Sequence, residues 1–219
     1  MTEAEWLECE DPTPMLKYLP DTPHKRKFML FAHACCCRVL DLLPRKESRD
    51  AVDLLGLYAD GAADDADLHR AERAMSKVLR RVKHPNKRDA VRAVDNACLV
   101  LNFVGPNWIV ASIVADHARK SRDPFAKLEG AAQGSIVRDI FGNPFRHAFM
   151  DPTWLTWADG TVLKLVNGIY DDRAFDRMPI FADALQDAGC DNADILTHCR
   201  SGGEHVRGCW VVDLLLGKS

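Results

Sequence analysis

The chain has 219 residues, which is enough to bury a hydrophobic core and near the upper size of a single domain. Hydrophobic residues make up 47% of it and charged residues 28%, a composition that excludes an intrinsically disordered protein. The formal net charge of -3 excludes a global attraction for nucleic acid or anionic lipid, so either ligand would need a local basic patch.

The first residues and the cysteines favour a cytoplasmic protein. The segment Met1–Trp6 is acidic and lacks the basic and apolar regions of a secretory signal. Three of the eight cysteines are consecutive, at Cys35, Cys36 and Cys37 in a helical segment, where successive side chains diverge by about 100°. We therefore expect free thiols in a reducing compartment.

In the first half of the chain, capping residues and apolar spacing predict consecutive helices. Ser48 is expected to cap a helix that stops at Gly61. Apolar residues from Asp65 onward recur every three or four positions until His84-Pro85. Asn86 is then expected to cap a further helix towards Val104.

The uncharged segment 96–115 is about as long as a membrane span. It contains three asparagines and has Gly105-Pro106 at its centre, and amides are costly in lipid while proline ends or kinks a helix. We therefore predict two buried helices that meet at Gly105-Pro106, with Pro106 as the first residue of the second helix, and no contact with a membrane.

The second half is also predicted to be helical. Asp123-Pro124 precedes a helix that reaches Phe141, and Gly142-Asn143-Pro144 breaks it. Four shorter helices are expected near Thr161–Asp171, Pro179–Ala188, Asp191–Arg200 and Cys209–Leu216. The β-prone Trp210-Val211-Val212 is embedded in the last of these.

The predicted fold class is therefore all-α. We expect an irregular multi-helix bundle in one compact domain, residues 1–219, with sub-halves 1–142 and 143–219 as an alternative division. No repeat at solenoid spacing is present in the sequence, which disfavours a helical array.

Several stretches resemble a large paralogous family of uncharacterised proteins from planctomycete bacteria. The resemblance lies in Met1–Leu7, Asp11–Leu16, Arg138–Arg146, Ile169–Arg177, Cys190–Leu196 and His205–Gly217. It covers both ends of the chain, whereas the middle resembles the family only in being helical. The chain has His33 where similar proteins have a cysteine, an exchange that a metal ligand tolerates. The resemblance implies a bacterial source and a helical fold, and it implies no activity.

Cysteine and histidine near the C-terminus form a candidate zinc site. The set comprises Cys190, His198, Cys199, His205 and Cys209. Zinc takes four nitrogen or sulfur ligands, and the spacing of His205 and Cys209 places them one turn apart if the last helix begins early enough. No Cys-x2-Cys pair supports this set, and buried apolar packing of Cys190, Cys199 and Cys209 is the favoured alternative.

His33 and Cys37 are a second candidate pair of metal ligands. Their spacing of four places both on one helix face, as does the spacing of His33 and Cys36. The same spacing describes an apolar core stripe, and that interpretation is favoured. A composite site that joins His33 and Cys37 to His205 and Cys209 would require the two ends of the chain to meet.

A basic stretch and two tryptophans are candidate binding surfaces. Between His69 and Arg92, cationic residues greatly outnumber acidic ones, and Arg80, Arg81, Lys87 and Arg88 are the candidate nucleic-acid contacts. No aromatic residue is interleaved with them, so a solvated helix face is favoured. Trp154 and Trp157 are candidate interface anchors, with core packing as the favoured alternative.

The absence of P-loop, Rossmann, Gly-x-Ser-x-Gly and His-Glu-x-x-His motifs from the sequence favours a non-enzymatic role. We predict a helical protein-interaction or scaffold module that acts through a protein partner or as a homo-oligomer. A zinc-binding protein or metal-dependent hydrolase is the first alternative. Nucleic-acid binding is the second.

Overall fold

The computed structural model describes residues 1–20, 25–99 and 106–218. Their regular structure is helical throughout and contains no strand, which confirms the all-α prediction. The α-helices are α1 (Glu3–Glu8), α2 (Pro12–Tyr18), α3 (Lys25–Cys37), α4 (Lys46–Ala59), α5 (Asp65–Leu79), α6 (Pro85–Cys98), α7 (Asn107–Ser121), α8 (Ala126–Phe141), α9 (Pro152–Asp172), α10 (Met178–Asp187), α11 (Ala193–Arg200) and α12 (Trp210–Leu216). Short 3-10 helices occupy Leu40–Leu42 and Phe175–Arg177.

The helices group into two compact units. The first comprises Met1–Val137 and the second Arg138–Ser219, so α8 runs across the boundary. Each unit has its own buried apolar side chains.

In the first unit, α3 and α7 lie at the centre of the helix packing. Helix α7 packs against α2, α3 and α6, and α4 packs against α3 and α5. The side chains of Phe28, Phe31, Leu68 and Met75 are almost fully buried among these helices. Burying such large apolar side chains stabilises the unit by roughly 1.5–3 kcal/mol each.

Two predicted helix starts in this unit are wrong. Ser48 lies inside α4, whose N-cap is Arg45, and the Ser48 hydroxyl is buried without a hydrogen-bond partner among the described residues. Helix α4 begins at Lys46, two residues before Ser48. Asn86 lies inside α6, which starts at Pro85, and its side-chain amide instead donates to the carbonyl of Asp123.

The other starts and ends in the first unit agree with the sequence more closely. Helix α5 begins after Asp64, which forms a reciprocal capping box with Asp67. Within the segment that resembled a membrane span, α6 ends at Cys98 and α7 begins at Asn107, so Pro106 precedes the second helix by one residue. The predicted meeting point at Gly105 and the end of the Asn86 helix at Val104 lie outside the described residues. None of the described helices has both the length and the apolar character that a bilayer span requires.

In the second unit, α9 packs against α10 and α12, and α11 packs against α10 and α12. The side chains of Val162, Ile169, Phe181 and Leu185 are fully buried between them. Helix α9 includes an additional N-terminal segment from Pro152, capped by Asp151, that was not predicted from the sequence. Its helical geometry is interrupted over residues 157–160, which separates the tryptophan-containing turn from the helix predicted near Thr161–Asp171.

The prediction of a helix at Cys209–Leu216 is confirmed within one residue, since α12 spans Trp210–Leu216 and Cys209 is its N-cap. Before it, residues 201–209 form an irregular loop. His205 and Cys209 therefore do not lie one helical turn apart, as their spacing had suggested. Any approach between them must come from the path of the loop.

Candidate metal centre

Four side chains of the second unit converge on one point. Asp139 lies near the end of α8, His198 in the last turn of α11, His205 in the loop, and Cys209 at the start of α12. Among the described residues, this is the one group of three or more potential metal ligands whose ligand atoms lie close together, all within 4.8 Å of one another.

The ligand atoms face each other at short distances. Oδ1 of Asp139 lies 2.6 Å from Nδ1 of His205 and 3.2 Å from Nε2 of His198. Sγ of Cys209 lies 3.2 Å from Nε2 of His198 and 4.0 Å from Nδ1 of His205. One carboxylate oxygen, two imidazole nitrogens and one sulfur thus surround a common centre.

These distances are close to those of a tetrahedral zinc site. Zinc bonds of 2.0–2.3 Å imply edges of about 3.3 Å between nitrogen or oxygen ligands and about 3.6 Å from either to sulfur. Each of the four observed separations lies within about 0.7 Å of the matching edge. Small side-chain rotations would therefore bring all four atoms into coordination.

Asp139 is held in a fixed orientation. Its Oδ2 accepts a hydrogen bond of 2.9 Å from the backbone N–H of Val206, which leaves Oδ1 to face the two histidines. The carboxylate is buried, and burial alone would raise its pKa. Hydrogen bonds from His198 and His205 outweigh burial and hold the pKa of Asp139 below its usual range, so the group is an anion in the interior.

A tight turn positions Cys209. The backbone N–H of Cys209 donates to the carbonyl of Val206 at 2.9 Å, and Gly208 has a φ of 93° within that turn. Glycine adopts this left-handed geometry without steric cost, which explains a glycine directly before the cysteine. Burial, with the nearby charge of Asp139, raises the pKa of the Cys209 thiol, so a bound cation would be needed to hold it as a thiolate.

Aromatic side chains support the imidazoles. The ring of His198 lies edge-on to that of His205, with centroids 4.9 Å apart, and 5.2 Å from the ring of Trp210. The indole of Trp210 packs against Gly142, which ends α8 with a φ of 69°. A side chain at Gly142 would meet Cγ of Trp210 at 3.2 Å, so the glycine leaves room for the ring that flanks His198.

The other candidate metal ligands from the C-terminal set lie elsewhere. Cys190 and Cys199 are buried among the apolar side chains of the second unit and do not belong to the four-residue group. Burial raises the pKa of Cys199 to about 12. Their surroundings are those of packed thiols, which was the favoured alternative for them.

His33 and Cys37 are neighbours in the first unit. Sγ of Cys37 lies 3.5 Å from Nε2 of His33, one turn away on α3. Gly56 of α4 makes room for this imidazole, because a Cβ there would lie 3.0 Å from Nε2. Within the described residues, the pair joins no group of three or more potential ligands.

The candidate binding residues divide into exposed and buried ones. Arg80, Arg81, Lys87 and Arg88 are exposed at the end of α5 and the start of α6. Trp154 is 6% exposed within the apolar core of the second unit, and Trp157 packs against that core. Core packing, the favoured alternative for the tryptophans, agrees with these positions.

Sequence analysis missed Asp139. Its neighbours Ile136, Val137 and Ile140 are fully buried, so the aspartate interrupts an apolar helix face. A lone carboxylate on such a face needs a cationic or hydrogen-bonding partner. An aspartate among buried apolar residues was therefore the feature of the sequence that could have indicated a site here. Asp139 also lies within Arg138–Arg146, one of the stretches that resemble the planctomycete proteins.

The fold and this cluster define a helical protein with a candidate metal centre. Comparisons with protein-family models, curated proteins and solved structures give no match. The planctomycete resemblance therefore stays a prediction.

Proposed function

We propose that the protein binds one transition-metal ion, with Zn²⁺ as the expected metal, and that the ion has a structural role in the second unit. The observation that carries this proposal is the convergence of Asp139, His198, His205 and Cys209 on one buried point. Imidazole and thiolate together favour zinc over magnesium or calcium, which prefer oxygen ligands.

The number and burial of the ligands support a structural role. Four protein ligands fill a tetrahedral shell, whereas catalytic zinc sites keep one position for water or substrate. The side chains of Asp139, His205 and His198 are 4%, 6% and 16% exposed, and Cys209 is fully buried. A metal-dependent hydrolase, the alternative considered from the sequence, would need an open position that this group does not provide.

The contacts also argue against a cysteine nucleophile. In a nucleophile–base–acid relay, the two partners of the histidine contact opposite ring nitrogens. Here Cys209 and Asp139 both face Nε2 of His198. The sulfur, the carboxylate oxygen and this nitrogen therefore lie close together, as neighbouring ligands of one ion do.

A structural ion would link three parts of the chain. The four ligands come from α8, α11 and the loop that leads into α12, and the connecting segment 201–209 contains no helix. Binding to the folded state alone stabilises it through mass action. The predicted interaction or scaffold role is compatible with a unit that is held together in this way.

Metal analysis of the protein purified without chelators tests this proposal. We expect about one equivalent of zinc per chain, lost in Cys209→Ala and retained in Cys199→Ala. The control removes a buried thiol from the same unit but outside the ligand group. Equal zinc content in both variants, or no metal in the unmodified protein after incubation with zinc and desalting, would refute it.

A further inference from the structure

A basic cleft lies in the first unit, between the N-terminus of α4 and the C-terminal half of α5. It has a volume of about 240 Å³. Its cationic lining residues are Arg45, Arg70, Arg73, Lys77 and Arg81, and Glu47 is the one acidic residue in the lining. Cations therefore exceed anions five to one around a single concavity, although the whole chain carries a net charge of -3.

Most of these cations have no acidic partner in the part of the chain that the structure describes. Arg70 forms an ion pair with Asp67. Among the described residues, no ion pair occupies Arg45, Arg73, Lys77 or Arg81. Like charges gathered around one cleft repel each other, and an anionic ligand would relieve that repulsion.

The arrangement along the helix indicates the size of the ligand. Arg70, Arg73 and Lys77 recur at three and four residues on α5 and so follow one face, and Arg81 lies just beyond the end of the helix. At 1.5 Å per residue, the helical part of this line of cations is about 10 Å long. A single phosphate or sulfate contacts only a part of such a line, whereas a chain of phosphate groups can contact several guanidinium groups along it.

We propose that this cleft binds a compact anion with two or more linked phosphate groups. Of the lining residues, Ala74 and Val78 are apolar and the other six carry a charge, so recognition would rest mainly on charge and hydrogen bonding. No aromatic side chain lines the cleft for stacking against a base. Of the nucleic-acid candidates, Arg81 lies in the cleft, whereas Arg80, Lys87 and Arg88 are not part of its lining. These features favour a compact polyphosphate over a nucleic-acid strand.

Calorimetric titration of the full chain at physiological ionic strength tests the proposal. Inorganic tripolyphosphate is the probe, and orthophosphate and a short single-stranded oligonucleotide are the comparison ligands. We expect tripolyphosphate to bind at least about tenfold more tightly than either of them. Because polyphosphates chelate metal ions, the titration is repeated on chelator-treated protein, which keeps this test independent of the metal centre.

Matched double variants locate the binding. Arg73→Gln with Lys77→Gln removes two cations from the cleft and should weaken tripolyphosphate binding at least about tenfold. Arg80→Gln with Lys83→Gln removes the same charge from exposed positions outside the lining and should change binding less than about twofold. Circular dichroism confirms that both variants are folded.

Three outcomes would overturn the proposal. If the two double variants weaken tripolyphosphate binding equally, the ligand is attracted by the general surface charge and not by the cleft. If tripolyphosphate binds no more tightly than orthophosphate, the cleft does not recognise linked phosphate groups. Tighter binding of the oligonucleotide would assign the basic surface to nucleic acid.

Discussion

The Sγ atom of Cys209 lies 3.2 Å from Nε2 of His198, although the two residues are eleven positions apart and belong to different secondary-structure elements. His198 lies in the last turn of α11 and Cys209 caps α12, so the intervening loop brings the two helix ends together. The same nitrogen also faces Asp139. Nε2 of His198 therefore lies next to both the Asp139 carboxylate and the Cys209 thiol.

Removing this imidazole should weaken metal binding. We expect His198→Gln to lower zinc affinity by at least about tenfold, because one of four ligands is lost. Competition with a chromophoric chelator measures the affinity. His147→Gln, an exposed histidine in the same unit, is the control and should leave the affinity unchanged. An unchanged affinity in His198→Gln would exclude it as a ligand.

Metal removal should destabilise the protein in a ligand-dependent way. Zinc at about one hundred times its dissociation constant should add about 2.7 kcal/mol to the free energy of unfolding of the ligand-bearing unit. Thermal unfolding with zinc and with chelator measures the difference. In Asp139→Ala the two unfolding curves should coincide, and a zinc-dependent shift of similar size in that variant would contradict the assignment.

Gly142 should be sensitive to substitution for two separable reasons. In Gly142→Ala, a residue with a side chain must adopt the left-handed conformation, which costs about 1–2 kcal/mol of stability. The added methyl group also lies against the Trp210 indole. Gly189→Ala has only the first effect, because its φ is 95° and no atom lies within 4 Å of the added Cβ. Urea unfolding should therefore show a larger loss for Gly142→Ala, by about 1 kcal/mol or more.

Equal losses of stability in the two glycine variants would contradict this prediction, because they would mean that the Trp210 indole moves away from the added methyl group without a cost in free energy. Zinc affinity then serves as a further readout, since Trp210 flanks His198. We expect only the Gly142 variant to change it.

Removing the cation from the partly buried ion pair of Arg38 and Glu129 in the first unit should destabilise the protein strongly. Arg38 donates to both carboxylate oxygens of Glu129 at 2.9–3.1 Å, and Gln133 also donates to Glu129. Arg38→Met leaves the 5% exposed Glu129 without its cation and should cost about 3–5 kcal/mol. Urea denaturation measures the loss.

The exposed pair of Lys46 and Asp50 provides the comparison for that variant. Lys46→Met removes an ion pair at an 83% exposed lysine side chain and should change stability by less than about 1 kcal/mol. If Arg38→Met and Lys46→Met lower the free energy of unfolding by similar amounts, the burial of Glu129 does not increase the cost of losing its cation.

Much of the helical structure follows from local sequence patterns. Helix α5 combines an acidic capping box with a regular apolar stripe, and α8 ends where Gly142 adopts a left-handed conformation. The errors at Ser48 and Asn86 differ in kind. Ser48 is buried inside α4, which begins two residues before it. Pro85 occupies the first position of α6, where proline is favoured, so the helix begins before Asn86.

The metal centre was only partly predictable. His205 and Cys209 were found because their residue types and spacing are typical of zinc ligands. Asp139 was not found, since the nearest other ligand in sequence, His198, is separated from it by α9, a short 3-10 helix and α10. Convergence of this kind is set by tertiary packing, which no local spacing records.

Substitution of cobalt for zinc tests the central claim most directly, because the absorption spectrum of Co²⁺ reports both geometry and ligand type. The account predicts one equivalent of Co²⁺ with intense visible bands of a tetrahedral site and a near-ultraviolet thiolate charge-transfer band that disappears in Cys209→Ser. A weak six-coordinate spectrum without a thiolate band, or a thiolate band that persists in Cys209→Ser, would contradict it.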